Sequence, residues 1–71
     1  MGRDRLLRDH LRDRFIITLD TGAAFSGLLD KWDANTVELV DAVSLSDGHP
    51  KISGALLLPR NRVLYMQRPA T

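Results

Sequence analysis

The fold is decided by residues 15–33, which read FIITLDTGAAFSGLLDKWD. Apolar residues alternate along its first part, with Phe15, Ile17 and Leu19 on one side, and the run ends at the turn signal Asp-Thr-Gly of residues 20–22. A second extended run follows, with Gly27 at its centre, where a strand without a side chain can bend sharply. Bent strands of this kind build small barrels. The stretch therefore predicts a hairpin whose second strand is strongly bent.

The remaining sequence adds a helix and three strands to this hairpin. Residues 3–12 place Leu7 and Leu11 four apart on a charged segment, which predicts a short amphipathic helix whose leucines dock on the sheet. In the third strand, Val37, Leu39, Val43 and Leu45 share one parity, with Asp41 as the exception. We predict one mainly β domain over residues 1–71, in which an N-terminal α-helix precedes a five-stranded, bent, antiparallel small barrel of the SH3 or OB kind. The expected helix covers 3–12, and the expected strands cover 14–20, 23–32, 36–45, 51–58 and 62–67.

Length and composition narrow the class of protein. The chain has 71 residues, no cysteine, 44% apolar and 27% charged residues, and a formal net charge of +1. At this size only about 60% of the unfolded surface can be buried, and one core supplies about 3–5 kcal/mol, so we expect self-association. The apolar runs are too short for a membrane span and the charged N-terminus is no secretory signal, so we expect a cytoplasmic protein. We expect no metal, cofactor or enzymatic activity, because the two histidines are isolated and no nucleophile, base and orienting group come together.

Charged and apolar residues are unevenly distributed along the chain. Residues 1–14 and 60–68 carry net charges of +2 and +3, while the stretch between them carries −4. This separation permits an anionic partner, and it equally fits ordinary solvated charge. Strands 51–58 and 62–67 are apolar on both faces. We therefore expect one face of these strands to lie in the core and the other against a neighbouring subunit.

The order of these motifs resembles the Sm-like family, which includes the bacterial Hfq-type proteins. Residues 15–33 resemble the first Sm motif, with a turn glycine, a glycine five residues later and the aromatic-acidic pair Trp32-Asp33. Residues 58–66, which read LPRNRVLYM, are similar to the second motif. The resemblance spans about residues 3–68. It implies an open five-stranded barrel that forms a homomeric ring of six or seven subunits, in which the fourth strand pairs with the fifth strand of the next subunit. It also implies binding of single-stranded RNA, often uridine-rich, around a central pore.

The resemblance places the RNA site in two loops. Asn35 is expected to bond base edges, Arg60 to stack or to pair with phosphate, Asn61 to assist, and Asp33 to orient the loop by accepting backbone N–H groups. The sequence departs from the family at these positions. Asn35 stands where Hfq-type proteins have a stacking aromatic, Val37 stands where the eukaryotic type has asparagine, and the Arg-Gly or Lys-His pair is Arg60-Asn61. A purely structural alternative is that both asparagines are turn residues that tolerate left-handed backbone geometry.

Other residues carry weaker hypotheses. A basic rim for RNA is one interpretation of the N-terminal arginines, and intrahelical pairing with Asp4, Asp9 and Asp13 is the other. His10 is predicted to be an exposed or half-buried helical residue, His49 a loop residue without a metal, and Trp32 a core or interface anchor rather than a base-stacking group. The rim arginines are Arg5, Arg8, Arg12 and Arg14.

Two functions of other classes compete with RNA binding. One is a ring that serves as a structural or protein-interaction module and has lost the nucleotide pocket, which the missing aromatic and the near-neutral charge favour. The other is a monomeric SH3-like peptide binder.

Overall fold

Five strands form one antiparallel sheet in the computed structural model, which describes residues 7–45 and 48–69. The sheet order is β4-β3-β2-β1-β5, and the 3₁₀ turn Arg60–Arg62 joins β4 to β5. Together with helical residues 7–9, this arrangement confirms the predicted fold class. The strands are β1 (Arg14–Leu19), β2 (Ala24–Trp32), β3 (Thr36–Ser44), β4 (Leu56–Pro59) and β5 (Val63–Gln67).

The connection between β4 and β5 forces the sheet to curl. These two strands lie at opposite edges of the sheet, yet three residues join them. A 3₁₀ turn rises about 2 Å per residue and so spans about 6 Å. The edges of a flat five-stranded sheet would lie about 19 Å apart. The sheet must therefore close on itself at this end into an open barrel.

The N-terminal helix is shorter than predicted in the described part of the chain. Residues 7–9 are helical and a turn follows through residue 12, while residues 3–6 of the predicted helix lie outside the described residues. The turn ends at Arg12, which has φ 71° and donates its backbone N–H to Leu29 O at 2.7 Å. Leu7 is buried in the core as predicted. The prediction for Leu11 is wrong: it is 44% exposed, because the chain leaves the helix before reaching it.

The core lies on the inner face of the curled sheet. Phe15 and Ile17 are buried, which confirms the predicted alternation of β1. In β3 the predicted alternation correctly places Val37 and Leu39 in the core. It fails after Leu39, because the left-handed backbone of Asp41, with φ 50°, interrupts the alternation and Ala42 becomes the next buried residue. Val43 and Leu45 are only half-buried. The core members are Leu7, Phe15, Ile17, Leu29, Val37, Leu39, Ala42 and Leu58.

Gly27 lies where β3 bulges against β2. Ser26 pairs with Val43 and Leu28 with Val40, so Gly27 faces two residues of β3 rather than one. A Cβ atom at this position would lie 3.1 Å from the Cβ atoms of both Leu39 and Ala42. The bend that the sequence predicts at Gly27 therefore depends on the missing side chain.

We expect Gly27→Val to destabilise the fold. The added side chain would push β3 away from β2, and overpacking of this kind costs about 1–3 kcal/mol. Thermal unfolding followed by circular dichroism should show Tm falling by about 4–8 °C for each kcal/mol of stability that the substitution removes. The matched control is Lys31→Val on the same strand, whose side chain is exposed. Equal effects of the two substitutions would contradict the close approach at Gly27.

The fourth strand differs most from its prediction. It covers Leu56–Pro59 rather than 51–58, and Lys51 makes only an isolated bridge to Val43. The segment before β4 cannot stay extended, because Gly48, His49 and Gly54 have φ values of 82°, 48° and 74°. Two backbone hydrogen bonds, from Ser44 N to Pro50 O and from Ile52 N to Ala42 O, hold this segment against β3.

Both edge strands carry exposed apolar side chains. Leu57 on β4 is 60% exposed, and Leu64 and Tyr65 on β5 are 61% and 56% exposed. On β4 the opposite face is buried through Leu58, so this strand has an apolar residue on each face, as predicted. The two edges of the sheet therefore present unpaired backbone beside apolar surface.

Candidate nucleic-acid interface

The β2–β3 loop and the 3₁₀ turn lie side by side at one end of the barrel. Thr36, the first residue of β3, pairs with Pro59, the last residue of β4. This pairing brings residues 33–35 next to Arg60–Arg62, although more than twenty residues separate them in sequence. The predicted RNA-site residues Asp33, Asn35, Arg60 and Asn61 therefore share one surface.

Asp33 shapes the β2–β3 loop through its carboxylate. Its Oδ1 accepts hydrogen bonds from the backbone N–H groups of Asn35 at 2.7 Å and of Thr36 at 2.8 Å. Its own backbone N–H donates to Thr36 O at 2.9 Å. This is the loop-orienting geometry that the sequence predicts for Asp33. One oxygen of the carboxylate is directed at backbone donors of its own loop.

Arg60 joins the two loops. Its Nη1 donates to Asp33 O at 2.7 Å, and its backbone N–H donates to Asn35 O at 2.9 Å. The residue is half-buried and presents a guanidinium, which carries five N–H donors in a planar fork. The hydrogen bond to Asp33 fixes the position of this cation against the loop. Arg60 thus places positive charge beside Asn35.

The two asparagines flank this cation at the surface. Asn35 and Asn61 are both exposed, whereas Val37, two residues after Asn35 in β3, is 1% exposed. Both asparagines are turn residues, as the structural alternative predicts, since Asn35 lies in the bend between β2 and β3 and Asn61 in the 3₁₀ turn, but neither uses left-handed backbone. Among the described residues, positive φ outside glycine occurs at Arg12, Asp41 and His49 and at neither asparagine. The loops therefore present two side-chain amides and a guanidinium together.

A cavity of about 420 Å³ lies next to Arg60, between the N-terminal turn and β5. Its walls are mainly apolar, with Phe15 and Val63 among them, and its basic members are His10, Arg60 and Arg68. Arg60 is therefore shared between the cavity and the loop surface. Three basic side chains lie around one end of the barrel.

Arg68 is the residue of this end that sequence reasoning missed. The tail from residue 68 looks frayed in the sequence, yet Arg68 Nη1 lies 2.6 Å from His10 Nδ1 and 3.4 Å from Asp13 Oδ2. Asp13 Oδ2 also lies 2.9 Å from His10 Nδ1. Only the positive charge of residues 60–68 pointed to Arg68, because its partners are more than fifty residues away in sequence. His10 is half-buried, as predicted.

Arg8, Arg12 and Arg14 are exposed, and the partners of Arg12 and Arg14 differ from the predicted ones. Arg12 Nη1 donates to Asp30 Oδ1 at 2.8 Å, and Arg14 Nη1 donates to Ser26 Oγ at 3.2 Å. For these two arginines, pairing within the helix is wrong, because the chain turns at Arg12 and both side chains reach β2. Arg8 is exposed, and Arg5 and Asp4 lie outside the described residues.

Trp32 and His49 are the remaining predicted residues. Trp32 is half-buried and packs against the core, which confirms its role as an anchor. His49 is an exposed loop residue. Within residues 7–45 and 48–69, no cluster of three or more histidine, cysteine or carboxylate side chains is placed to hold a metal ion. Over the same residues, no helix has the length and apolar character that crossing a membrane requires.

The fold matches that of several solved archaeal proteins. The P. aerophilum SmAP1 heptamer superimposes with a TM-score of 0.87 at 20% identity, over 100% of this chain and 97% of that one. A heptameric archaeal Sm protein gives a TM-score of 0.81 at 22% identity, and the match covers 93% of this chain and 98% of that one. The Pyrococcus abyssii Sm protein, solved in complex with a uridine heptamer, gives a TM-score of 0.77 at 24% identity. This match covers 89% of this chain and 92% of that one.

Sequence comparisons add nothing to these structural matches. No protein-family model matches the chain, and no curated protein matches it either. The resemblance that the motifs indicate is nevertheless confirmed at the level of structure, since the matches cover nearly the whole of each chain. This chain has the Sm fold.

Proposed function

We propose that this chain is an Sm-like protein that assembles into a homomeric ring and binds single-stranded RNA near the central pore. The observation that carries the proposal is the hydrogen bond of Arg60 to the β2–β3 loop, which sets a cation beside two exposed amides. The proposal includes a single domain over residues 1–71, a cytoplasmic location and no enzymatic activity, as the sequence predicts.

Ring formation is supported by the two open edges of the sheet. An unpaired edge strand is a template for another chain, and this chain has β4 at one edge and β5 at the other. Pairing β4 of one copy with β5 of the next would satisfy both edges at once. It would also cover the exposed side chains of Leu57, Leu64 and Tyr65. Because the interface joins two different surfaces, its repetition closes a ring when the rotation between copies permits. The heptameric Sm proteins of the same fold support this arrangement.

RNA binding is supported by the chemistry of the loop surface. Single-stranded RNA needs a cation for its phosphates and polar groups for its unpaired bases. Arg60 supplies the first, and the amides of Asn35 and Asn61 supply the second. A ring would repeat this set once per subunit around a common axis, so that one strand contacts several copies and binding gains from multivalency.

The principal rival function is a ring that acts as a structural or protein-interaction module. It is favoured by the absence of an aromatic residue from the loops 33–36 and 59–62. A binding titration with uridine-rich and adenosine-rich oligonucleotides at low and moderate salt separates the two. Saturable binding below about 10 μM at low salt supports RNA binding, because even non-specific contacts reach this range.

We expect Arg60→Ala to weaken RNA binding at least about tenfold, because each charged hydrogen bond is worth about 1.5–3 kcal/mol. The slope of log affinity against log salt should also flatten by about one unit for each phosphate that the protein no longer neutralises. Fluorescence anisotropy across a salt series measures both quantities. Arg60→Lys keeps the charge and should retain most of the slope, which separates the effect of the charge from that of the hydrogen bond to the loop.

Arg62→Ala is the matched control for this experiment. Arg62 belongs to the same 3₁₀ turn and is exposed, but its Nη1 donates to Asp20 Oδ2 at 3.2 Å, away from the β2–β3 loop. Its removal should alter affinity much less than removal of Arg60. If Arg60→Ala leaves both affinity and salt slope unchanged, Arg60 does not contact the phosphates.

A further inference from the structure

We infer that the loop surface built from Asp33, Asn35, Arg60 and Asn61 binds single-stranded RNA without selecting the base. The inference rests on the proposed RNA binding and names its substrate class, which is unpaired RNA of any base composition. Three features of the surface carry it: how the carboxylate of Asp33 is used, which groups are left to read a base edge, and which groups are left to stack on a base.

The fixed polar groups of the loop are directed at its own backbone. Asp33 Oδ1 accepts from two backbone N–H groups, and the backbone oxygens of Asp33 and Asn35 accept from Arg60. Val37, the first buried residue of β3, has no side-chain donor or acceptor and is 1% exposed. A rigid, shaped set of donors and acceptors is what discriminates one base edge from another. The groups that bond to the loop backbone do not belong to such a set.

The groups proposed to meet a base edge are the amides of Asn35 and Asn61. An asparagine amide has both an acceptor oxygen and a donor nitrogen, and rotation about its last torsion exchanges their positions. Both side chains are exposed. An amide that can turn either way can pair with both the donor and the acceptor edges of uracil, cytosine and adenine. The asparagines therefore contribute affinity without a strong preference.

Stacking adds little selectivity at this surface. Residues 33–36 and 59–62 contain no aromatic side chain, and the nearest one in sequence, Trp32, packs against the core. Strand β2 bulges at Asp30, between the pairs Leu29–Leu39 and Lys31–Glu38. Beyond this bulge, Trp32 pairs with the buried residue Val37. Tyr65, which is 56% exposed, lines the cavity beside Arg60, and stacking of a base on such a ring tolerates any base. The interaction of Arg60 with phosphate is likewise independent of sequence.

The test is a titration of the intact protein with labelled uridine, cytidine and adenosine oligonucleotides of equal length. We expect the three Kd values to agree within about threefold and the three salt slopes to be equal, as for binding dominated by phosphate contacts. A preference of tenfold or more for one base overturns the inference and leaves RNA binding intact. If none of the three binds saturably at low salt, the proposed function itself fails.

A gain-of-function variant tests the missing stacking group directly. Asn35→Tyr adds an aromatic ring at an exposed loop position and should tighten all three oligonucleotides at least about fivefold, because base stacking on aromatic side chains is strong and tolerates any base. Asn35→Leu, the control, adds apolar volume without a ring and should weaken all three about twofold through loss of the amide. Circular dichroism and solution mass verify that both variants keep the fold. If Asn35→Tyr binds no tighter, Asn35 does not face the bases and the inference is wrong.

Discussion

Leu57→Asp is expected to convert the ring into single chains of 8.0 kDa. Leu57 is 60% exposed on the edge strand β4, where the proposed pairing with β5 of the next copy would bury it. Burying an unpaired carboxylate costs several kcal/mol, and the cost recurs at every interface. Light scattering should show the mass falling from six or seven times 8.0 kDa to that of one chain.

Leu11→Asp is the matched control for the ring. It makes the same chemical change at another exposed leucine, 44% accessible, which lies in the N-terminal turn and on neither edge strand. We expect its mass to stay that of the assembly. If Leu57→Asp retains the full mass, β4 is not the contact strand. If the unaltered protein stays a single folded chain on dilution, the ring is wrong altogether.

Loss of the ring should also weaken RNA binding. A single chain offers one copy of the loop surface, whereas a ring offers one copy per subunit to the same strand. Linked sites of this kind gain about 10²–10⁴ in affinity over one site. We therefore expect Leu57→Asp to bind oligonucleotides far more weakly, although its own loops 33–36 and 59–62 are unaltered.

Sequence periodicity predicts β1 and the centre of the fold well. Phe15 and Ile17 follow strict alternation and are buried, and Gly27 lies where the strand bends. Periodicity fails where a strand bulges, because an inserted residue exchanges the two faces without changing the composition. Asp41 is the example: its left-handed backbone moves burial from the parity of Leu39 to Ala42. Asp41, a polar residue at a position where the alternation predicts an apolar one, is the sequence feature that indicates this bulge.

Long-range contacts of the site required more than local patterns. The sequence resemblance placed Asp33, Asn35, Arg60 and Asn61 in neighbouring loops, and the pairing of Thr36 with Pro59 brings those loops together. The hydrogen bond from Arg60 Nη1 to Asp33 O follows from the sheet order and not from either loop alone. The same reason explains why the contact of Arg68 with His10 was missed. Helix and strand periodicity carry information over a few residues, whereas these contacts depend on how the sheet closes.

Leu39→Ala is expected to remove most of the stability of the isolated chain. Leu39 is fully buried, pairs with Leu29 and Leu56, and lies under the bend at Gly27. Truncating a buried leucine costs about 2–5 kcal/mol, partly through the cavity that it leaves. A single core of this size supplies about 3–5 kcal/mol, so the loss is comparable with the total.

Self-association provides a second, independent test of the prediction for Leu39→Ala. Because a ring stabilises only folded chains, the Tm of Leu39→Ala should rise with protein concentration. Denaturation followed by circular dichroism at two concentrations measures both effects. Leu11→Ala, at a 44% exposed leucine, is the control and should lower the stability by less than about 1 kcal/mol. If Leu39→Ala lowers the free energy of unfolding by less than about 1 kcal/mol, Leu39 is not in the core, because truncating a buried leucine costs about 2–5 kcal/mol. A Tm independent of concentration would instead show that the folded chain gains nothing from its neighbours, and it would remove the physical reason for a 71-residue chain to assemble.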